Sequence, residues 1–512
     1  MLRRILGMAA CIVCVGMLLL LMPAASAGTE EGAQAEQISL SGAVTEAVSF
    51  TDWSYLYDGD LTSGRSTAAP ATLTLGDSGG IGSLYLIYQM EYGAYTVTNN
   101  DTGETKTVGQ GGFLHDFIDL VEMFGAAPSS VTVSWNDSAV QLNEMYLFTA
   151  GSTPDYVQKW EMPAEGRTDL ILFSTHGDDE QLFFAGLLPY YANALDYQVQ
   201  VVYLTDHRNN SQTRVHEMLN GLWAVGCTTY PVFGSFQDFL YETIEQTYDT
   251  FQEQGVTRED IIAFCIEQIR RFKPLVIVAH DFAGEYGHGQ HMVYADCVAA
   301  ALELSGSEEN DPDSAEAYGV WDVPKAYFHL YAQNQIVMDW DTPMEALNGL
   351  SPFQVTQQLG YPCHQSQQWT WFTGWIYGKE TAITRADQIE TYSPCLYGLY
   401  RTTVGPDVEK NDFFENLTTY AEQEQQAQAT QPTEPETIPE SSQASAETPT
   451  GTQTETVPAE QPTQGTTAKG KWIAACIVGI SLLLIGALSL SSIRWERRQR
   501  RRQREKRQNR VR

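Results

Sequence analysis

The sequence predicts an α/β domain built on a parallel sheet, with an antiparallel β-sandwich before it. Two textures along the 512 residues carry that prediction. From Asp169 the chain alternates strand-like and helix-like segments. "DLILFST" is an apolar run of strand length, "EQLFFAGLLPYYAN" has helical spacing, and "QVQVVYLT" is a second strand followed by the helical "RVHEMLNGLWAVG". "TREDIIAFCIEQIRRF" then reads as a helix, "PLVIVAH" as a strand and "HMVYADCVAAALEL" as a helix. This alternation implies βαβ units, and near-continuous apolar runs suit strands buried on both faces. Residues 37–150 read differently. "ATLTLG", "SLYLIYQM", "AYTVTNN", "SVTVSW" and "NEMYLFTA" are short strands between Gly, Asp and Asn turns, and no long helical pattern interrupts them. That pattern is a sandwich.

The two ends are of another kind. Residues 1–27 place Arg3 and Arg4 before an apolar run and "ASA", the order of a secretory signal cut after Ala27. An uncleaved anchor helix is the alternative. Residues 421–470 are Thr, Gln, Glu, Pro and Ser almost throughout, which predicts a disordered stalk. Residues 472–493 hold 22 positions without a charge, enough for a transmembrane helix. The tail, 494–512, carries eleven Lys/Arg against two Glu, and the positive-inside rule assigns it to the cytoplasm. The expectation is a single-pass membrane protein of a bacterial surface with its bulk outside. Without signal and tail, 17 Lys/Arg face 62 Asp/Glu, a net charge of −45 that speaks against nucleic acid as a partner. Five cysteines lie outside the apolar ends, and an odd number argues against a disulfide framework, with Cys363 and Cys395 the one candidate pair.

The chemistry concentrates in two loops. "HGDDE" (176–180) follows "DLILFST", and "HDFAGEYGHGQH" (280–291) follows "PLVIVA". In a parallel sheet both open at the carboxyl edge, where ligands bind. His176, Asp179 and His291 together supply two imidazoles and a carboxylate, a donor set for a catalytic zinc with its fourth position open. Each loop alone reads equally as a solvated turn or helix cap, Asp178 and Asp179 being good N-cap residues.

"THGDDE" resembles the A-H-P-D-D-E motif of the PIG-L/LmbE family of zinc-dependent N-acetylglucosaminyl deacetylases, and "GEYGHGQH" resembles its G-H-P-D-H. "RVHEM" (214–218) is similar to the family's R-x-x-E, and "HQSQ" (364–367) to its late H-x-[ST]-Q. The resemblance spans about 169–405 and implies a Rossmann-like deacetylase domain over 165–420. It further implies His176, Asp179 and His291 as zinc ligands, Asp178 as general base, His288 as oxyanion stabiliser or acid, and Tyr286 as a second group polarising the carbonyl. Arg214 and His364 become candidate substrate contacts. For Arg214 a surface ion pair with Glu217 is the competing reading, and for His364 a packed loop histidine. Near the start of the sandwich, "YLYDGDLTSG" (55–64) resembles a turn of discoidin-like modules, many of which bind sugars.

Two letters depart from the pattern. Gly177 stands where the family has proline, which implies a freer ligand loop, and Gln290 stands where it has aspartate, which puts support of the ligands in doubt. The expected activity is removal of the N-acetyl group from N-acetylglucosamine-type amino sugars or glycans. A non-catalytic glycan-binding protein with a structural metal is the second reading. A magnesium site for phosphoryl transfer is a third, which two imidazole donors disfavour. The aromatic run "WTWFTGW" (369–375) reads as core or as a platform for a sugar ring.

Overall fold

The computed structural model describes residues 33–207, 212–368 and 370–429. The chain divides into two compact units, Met1–Pro432 and Thr433–Arg512, and the described residues all lie in the first. The signal, the transmembrane segment, the basic tail and most of the stalk fall outside the described residues. Among the described residues no helix is long and apolar enough to cross a membrane. Within the segment read as stalk, the described residues do not match the expectation of disorder: Tyr420–Ala429 is a helix. Its sequence, "YAEQEQQAQA", is mostly Ala, Gln and Glu, which favour helix, and Thr419 with Glu422 forms a reciprocal cap.

The N-terminal strands form two antiparallel sheets among the described residues. One has the order β2 (Val44–Val48), β4 (Ala71–Gly76), β9 (Ser130–Trp135), β6 (Tyr95–Asn99), β7 (Thr105–Val108). The other has the order β1 (Gln37–Ile38), β10 (Val140–Phe148), β5 (Ser83–Tyr88), β8 (His115–Asp119), with β3 (Arg65–Thr67) also on β10. In β4 and β9 buried residues alternate with partly exposed ones, as a sheet with one covered face requires.

The second domain is a seven-stranded sheet among the described residues. Its order is β13 (Val232–Phe236), β12 (Val199–Thr205), β11 (Leu170–Ser174), β14 (Val276–Ala279), β15 (Lys325–His329), β17 (Leu396–Thr402), β16 (Gln335–Val337). The first five run parallel and the last two pairings are antiparallel. Every residue of β11, β12, β14 and β15 is buried. Alternate residues serve two cores: Leu170 and Leu172 face one, Ile171 and Phe173 the other. Helices α1 (Gln212–Ala224), α2 (Arg258–Phe272) and α3 (Gly289–Leu304) stand where the helical patterns predict them. The predicted helix after "HGDDE" is different. It is a 3₁₀ turn at Asp179–Gln181 followed by turns and a π-helix at Pro189–Ala194. Gly186 breaks it with φ 95°, and a β-carbon there would lie 2.5 Å from Trp340.

Candidate metal centre

The carboxyl ends of β11, β12, β13, β14 and β15 meet at one buried cluster. β11 delivers His176, Asp178 and Asp179, and β14 delivers His280 and, through its loop, Glu285, Tyr286 and His288. The first turn of α3 adds His291. His207 comes from the end of β12, Asp238 from beyond β13 and His329 from β15.

Nδ1 of His176, Oδ2 of Asp179 and Nε2 of His291 form a triangle with sides of 3.2, 3.1 and 3.3 Å. Tetrahedral zinc with bonds of about 2.0–2.1 Å sets its donors roughly 3.3 Å apart. Hydrogen accounting agrees with the distances. Gln290 Oε1 lies 3.1 Å from His176 Nε2, and its orientation is fixed because the same oxygen accepts from Phe239 N while its Nε2 donates to Gln237 O. His176 therefore carries its proton on Nε2. His291 Nδ1 donates to Glu285 Oε2 at 2.7 Å, which leaves Nε2 bare. Two imidazole lone pairs and one carboxylate oxygen thus point at one another, an arrangement a cation answers. Burial opposes positive charge at His176 while the Asp238 and Asp179 carboxylates favour it, so the field here is one that a cation answers. The residues present fit a zinc-sized ion.

Asp178 stands next to this triangle and receives Arg214 Nη2 at 2.9 Å. Arg214 is therefore not in a surface pair with Glu217. Glu217 turns instead to the late loop, accepting from Ser366 N at 2.7 Å and Ser366 Oγ at 2.5 Å. His364 is fully buried, with Nε2 3.2 Å from Glu180 Oε1, and so sits behind the metal loop. His288 caps α3, its Nδ1 accepting from Gln290 N at 3.1 Å, and its ring stacks on His291 at 4.7 Å. Burial, with His176 and His291 nearby, pushes it down to about 2. It is a neutral imidazole with its proton on Nε2. Tyr286 adopts φ 49° and sets its ring 5.4 Å from His288, and burial followed by Asp179 and Asp178 keeps its hydroxyl protonated.

Both departures acquire a reason. A β-carbon at position 177 would lie 2.2 Å from Met218, and Gly177 N donates to His207 Nε2 at 3.3 Å, a bond proline cannot make. The loop is tethered there rather than loosened. Gln290 supports His176, so the doubt over the ligands' support is removed. Cys363 and Cys395 are both free thiols. In the aromatic run, Phe372 is buried while Trp371 is 43% exposed and packs on Tyr286. Trp369 lies outside the described residues. Sequence reasoning missed Glu285, His280, His329 and Asp238, although Glu285 lies inside a quoted motif.

Residues 171–302 match the PIG-L family, described as GlcNAc-PI de-N-acetylase. The match falls within the α/β domain and takes in both metal-site loops. A 1D-myo-inositol 2-acetamido-2-deoxy-alpha-D-glucopyranoside deacetylase of Mycobacterium leprae is 25% identical over 202 residues, 35% of this chain and 64% of that protein. A protein of the same description from Saccharopolyspora erythraea, numbered 2, is 28% identical over 101 residues, 20% of this chain and 35% of that protein. The chain thus spans between one third and two thirds of the length of these curated relatives. Among solved structures, N,N'-diacetylchitobiose deacetylase from Pyrococcus horikoshii is similar with 12% identity and a TM-score of 0.29, over 45% of this chain and 83% of that one.

Proposed function

We propose that the chain is a zinc-dependent hydrolase that removes the N-acetyl group from N-acetylglucosamine-type amino sugars or glycoconjugates at the cell surface. The observation that supports it best is the donor triangle with sides of 3.1–3.3 Å beside a carboxylate held by Arg214. His176, Asp179 and His291 would hold the ion. Zinc bound there acts as a Lewis acid and acidifies water. Asp178 takes the proton of the attacking water, and Arg214 keeps that carboxylate oriented. As the water oxygen bonds to the acetyl carbon, the carbonyl oxygen becomes an oxyanion that accepts from His288 Nε2–H and the Tyr286 hydroxyl. His288 is neutral and so suits hydrogen-bond donation better than proton delivery. Asp178 returns its proton to the leaving nitrogen as the C–N bond breaks, giving acetate and a free amine.

The test is to purify residues 28–429, measure bound zinc, and assay acetate release from chitooligosaccharides, N-acetylglucosaminyl inositol and peptidoglycan fragments. Zinc bound without acetate from any amino sugar supports the glycan-binding reading instead. The surface location rests on the signal and anchor patterns at the two ends, and protease shaving of intact cells checks it: loss of residues 28–429 with retention of the tail is expected. Sugar binding by the sandwich rests on the "YLYDGDLTSG" turn, and a glycan array with residues 28–429 tests it.

A further inference from the structure

One buried carboxylate behind the metal triangle collects three imidazoles. Glu285 Oε2 meets His291 Nδ1 at 2.7 Å and His280 Nδ1 at 2.9 Å, and its Oε1 meets His329 Nδ1 at 2.6 Å. Glu285, His280, His291 and His329 are all fully buried. The protons can be counted. His280 Nε2 accepts from Thr175 N at 3.0 Å, so its proton is on Nδ1 and goes to Glu285. His329 Nε2 faces Ser393 O at 2.9 Å while its Nδ1 faces the carboxylate, so the ring is held at both nitrogens.

We propose that Glu285 is a positioning residue of the metal centre: pinned by His280 and His329, it fixes His291 as the Nδ1–H tautomer and aims its bare Nε2 at the ion. The proposal rests on the reading of His291 as a ligand. A carboxylate behind a ligating imidazole raises its basicity and sets its ring orientation, and removing such a partner costs about 10–100-fold in metal affinity. Glutamine at 285 has one acceptor oxygen for three donors and turns an N–H toward an imidazole.

Zinc affinity of the full chain and of Glu285→Gln is read by competition with a chromogenic chelator, and the visible spectrum of the cobalt(II)-loaded proteins reads ligand geometry. A loss of about 10–100-fold and an altered cobalt spectrum are expected. A merely structural role lowers thermal stability and leaves both readouts unchanged, which overturns the proposal. If the wild-type chain binds no zinc, the ligand reading itself fails first. If Glu285→Gln does not fold, ¹⁵N-histidine NMR of the zinc-loaded wild-type chain decides. His291 and His280 are expected protonated on Nδ1 alone, whereas a proton on His291 Nε2 overturns the proposal.

Discussion

Acid weakens the junction between the sandwich and the α/β domain through two histidines that have nowhere to put a second proton. His115 of β8 and His216 of α1 meet across the junction, Nε2 to Nδ1, at 2.9 Å. Asn143 points its amide nitrogen at His216 Nε2 (3.3 Å) and at Leu61 O, so His216 accepts there and donates from Nδ1. His115 then donates from Nδ1 to the Tyr85 hydroxyl at 2.7 Å. The groups facing the pair are Tyr85 and Asn143, neither able to offset a positive charge. Burial pushes His216 down to about 4, and burial followed by His216 pushes His115 well below its usual value. Both folded values lie below the unfolded value of about 6.5, so this stability is complete above pH ~6.5 and is lost as pH falls toward 4. For His216, moving from pH 7 to pH 5 costs about 2 kcal/mol. Guanidinium unfolding of wild type and His216→Gln at both pH values measures it. The wild type is expected to lose about 2 kcal/mol more than the variant over that interval. Equal losses in the two proteins refute the reasoning.

Other expectations concern the site. Asp178→Asn keeps the donor triangle and removes the base, so acetate release falls about 10²–10⁴-fold while zinc content, read by atomic absorption, stays at the wild-type level. Gly177→Pro restores the family's letter yet collides with Met218 and deletes the bond to His207. A loss of about 1–3 kcal/mol by thermal unfolding is expected, partly recovered by Met218→Ala, and an unchanged or raised melting temperature contradicts the packing argument. Gln290→Leu strips the acceptor from His176 Nε2 and is expected to weaken zinc about 10–100-fold in chelator competition; wild-type affinity would show that Gln290 is dispensable.

What the sequence made legible follows from where its signals are local. β11, β12 and β14 are apolar runs, and α2 announces itself with a Thr257–Asp260 capping box and an apolar stripe. His176, Asp179 and His291 were readable because loop position at a sheet edge and donor type coincide. β15 was hidden by Lys325, a charged residue at a fully buried position whose ammonium meets Asp407, 82 residues away, at 2.5 Å and donates to Glu415 O at 2.9 Å. Glu285 and His329 were hidden for the same reason. Their partnership spans 44 residues and two strands, and nothing in the spacing of either announces it. The segment after "HGDDE" misled because its apolar spacing is helical while the non-helical backbone at Leu182 and Gly186 interrupts it.

Helix α1 offers a sandwich that supplies none of these site groups a route to the chemistry. One face of the helix serves the metal loop, and the other meets the sandwich and the segment that follows it. Arg214, Met218 and Gly221, spaced by four and three residues, face Asp178, Gly177 and His364. His216, Asn220 and Trp223, spaced likewise, meet His115, Gln158 and the ring of Trp160. Beside it, the Tyr230 ring lies tilted against Phe113 at 4.8 Å and its hydroxyl oxygen accepts from Leu114 N at 3.1 Å, tying β8's approach to the start of β13. Removing residues 33–150 would strip His115 and Asn143 from α1 and free the helix to shift relative to the metal loop. Because Arg214 reaches Asp178 through one 2.9 Å bond, a displacement of about 1 Å is enough to cost roughly 10²-fold in rate. The measurement is kcat/KM for acetate release from a small soluble amino sugar by residues 151–429 against residues 28–429, with zinc content matched. A fall of about 10–100-fold with unchanged zinc is expected if the sandwich acts through α1. Equal values would make the sandwich a separable module and leave α1 held by the α/β domain alone.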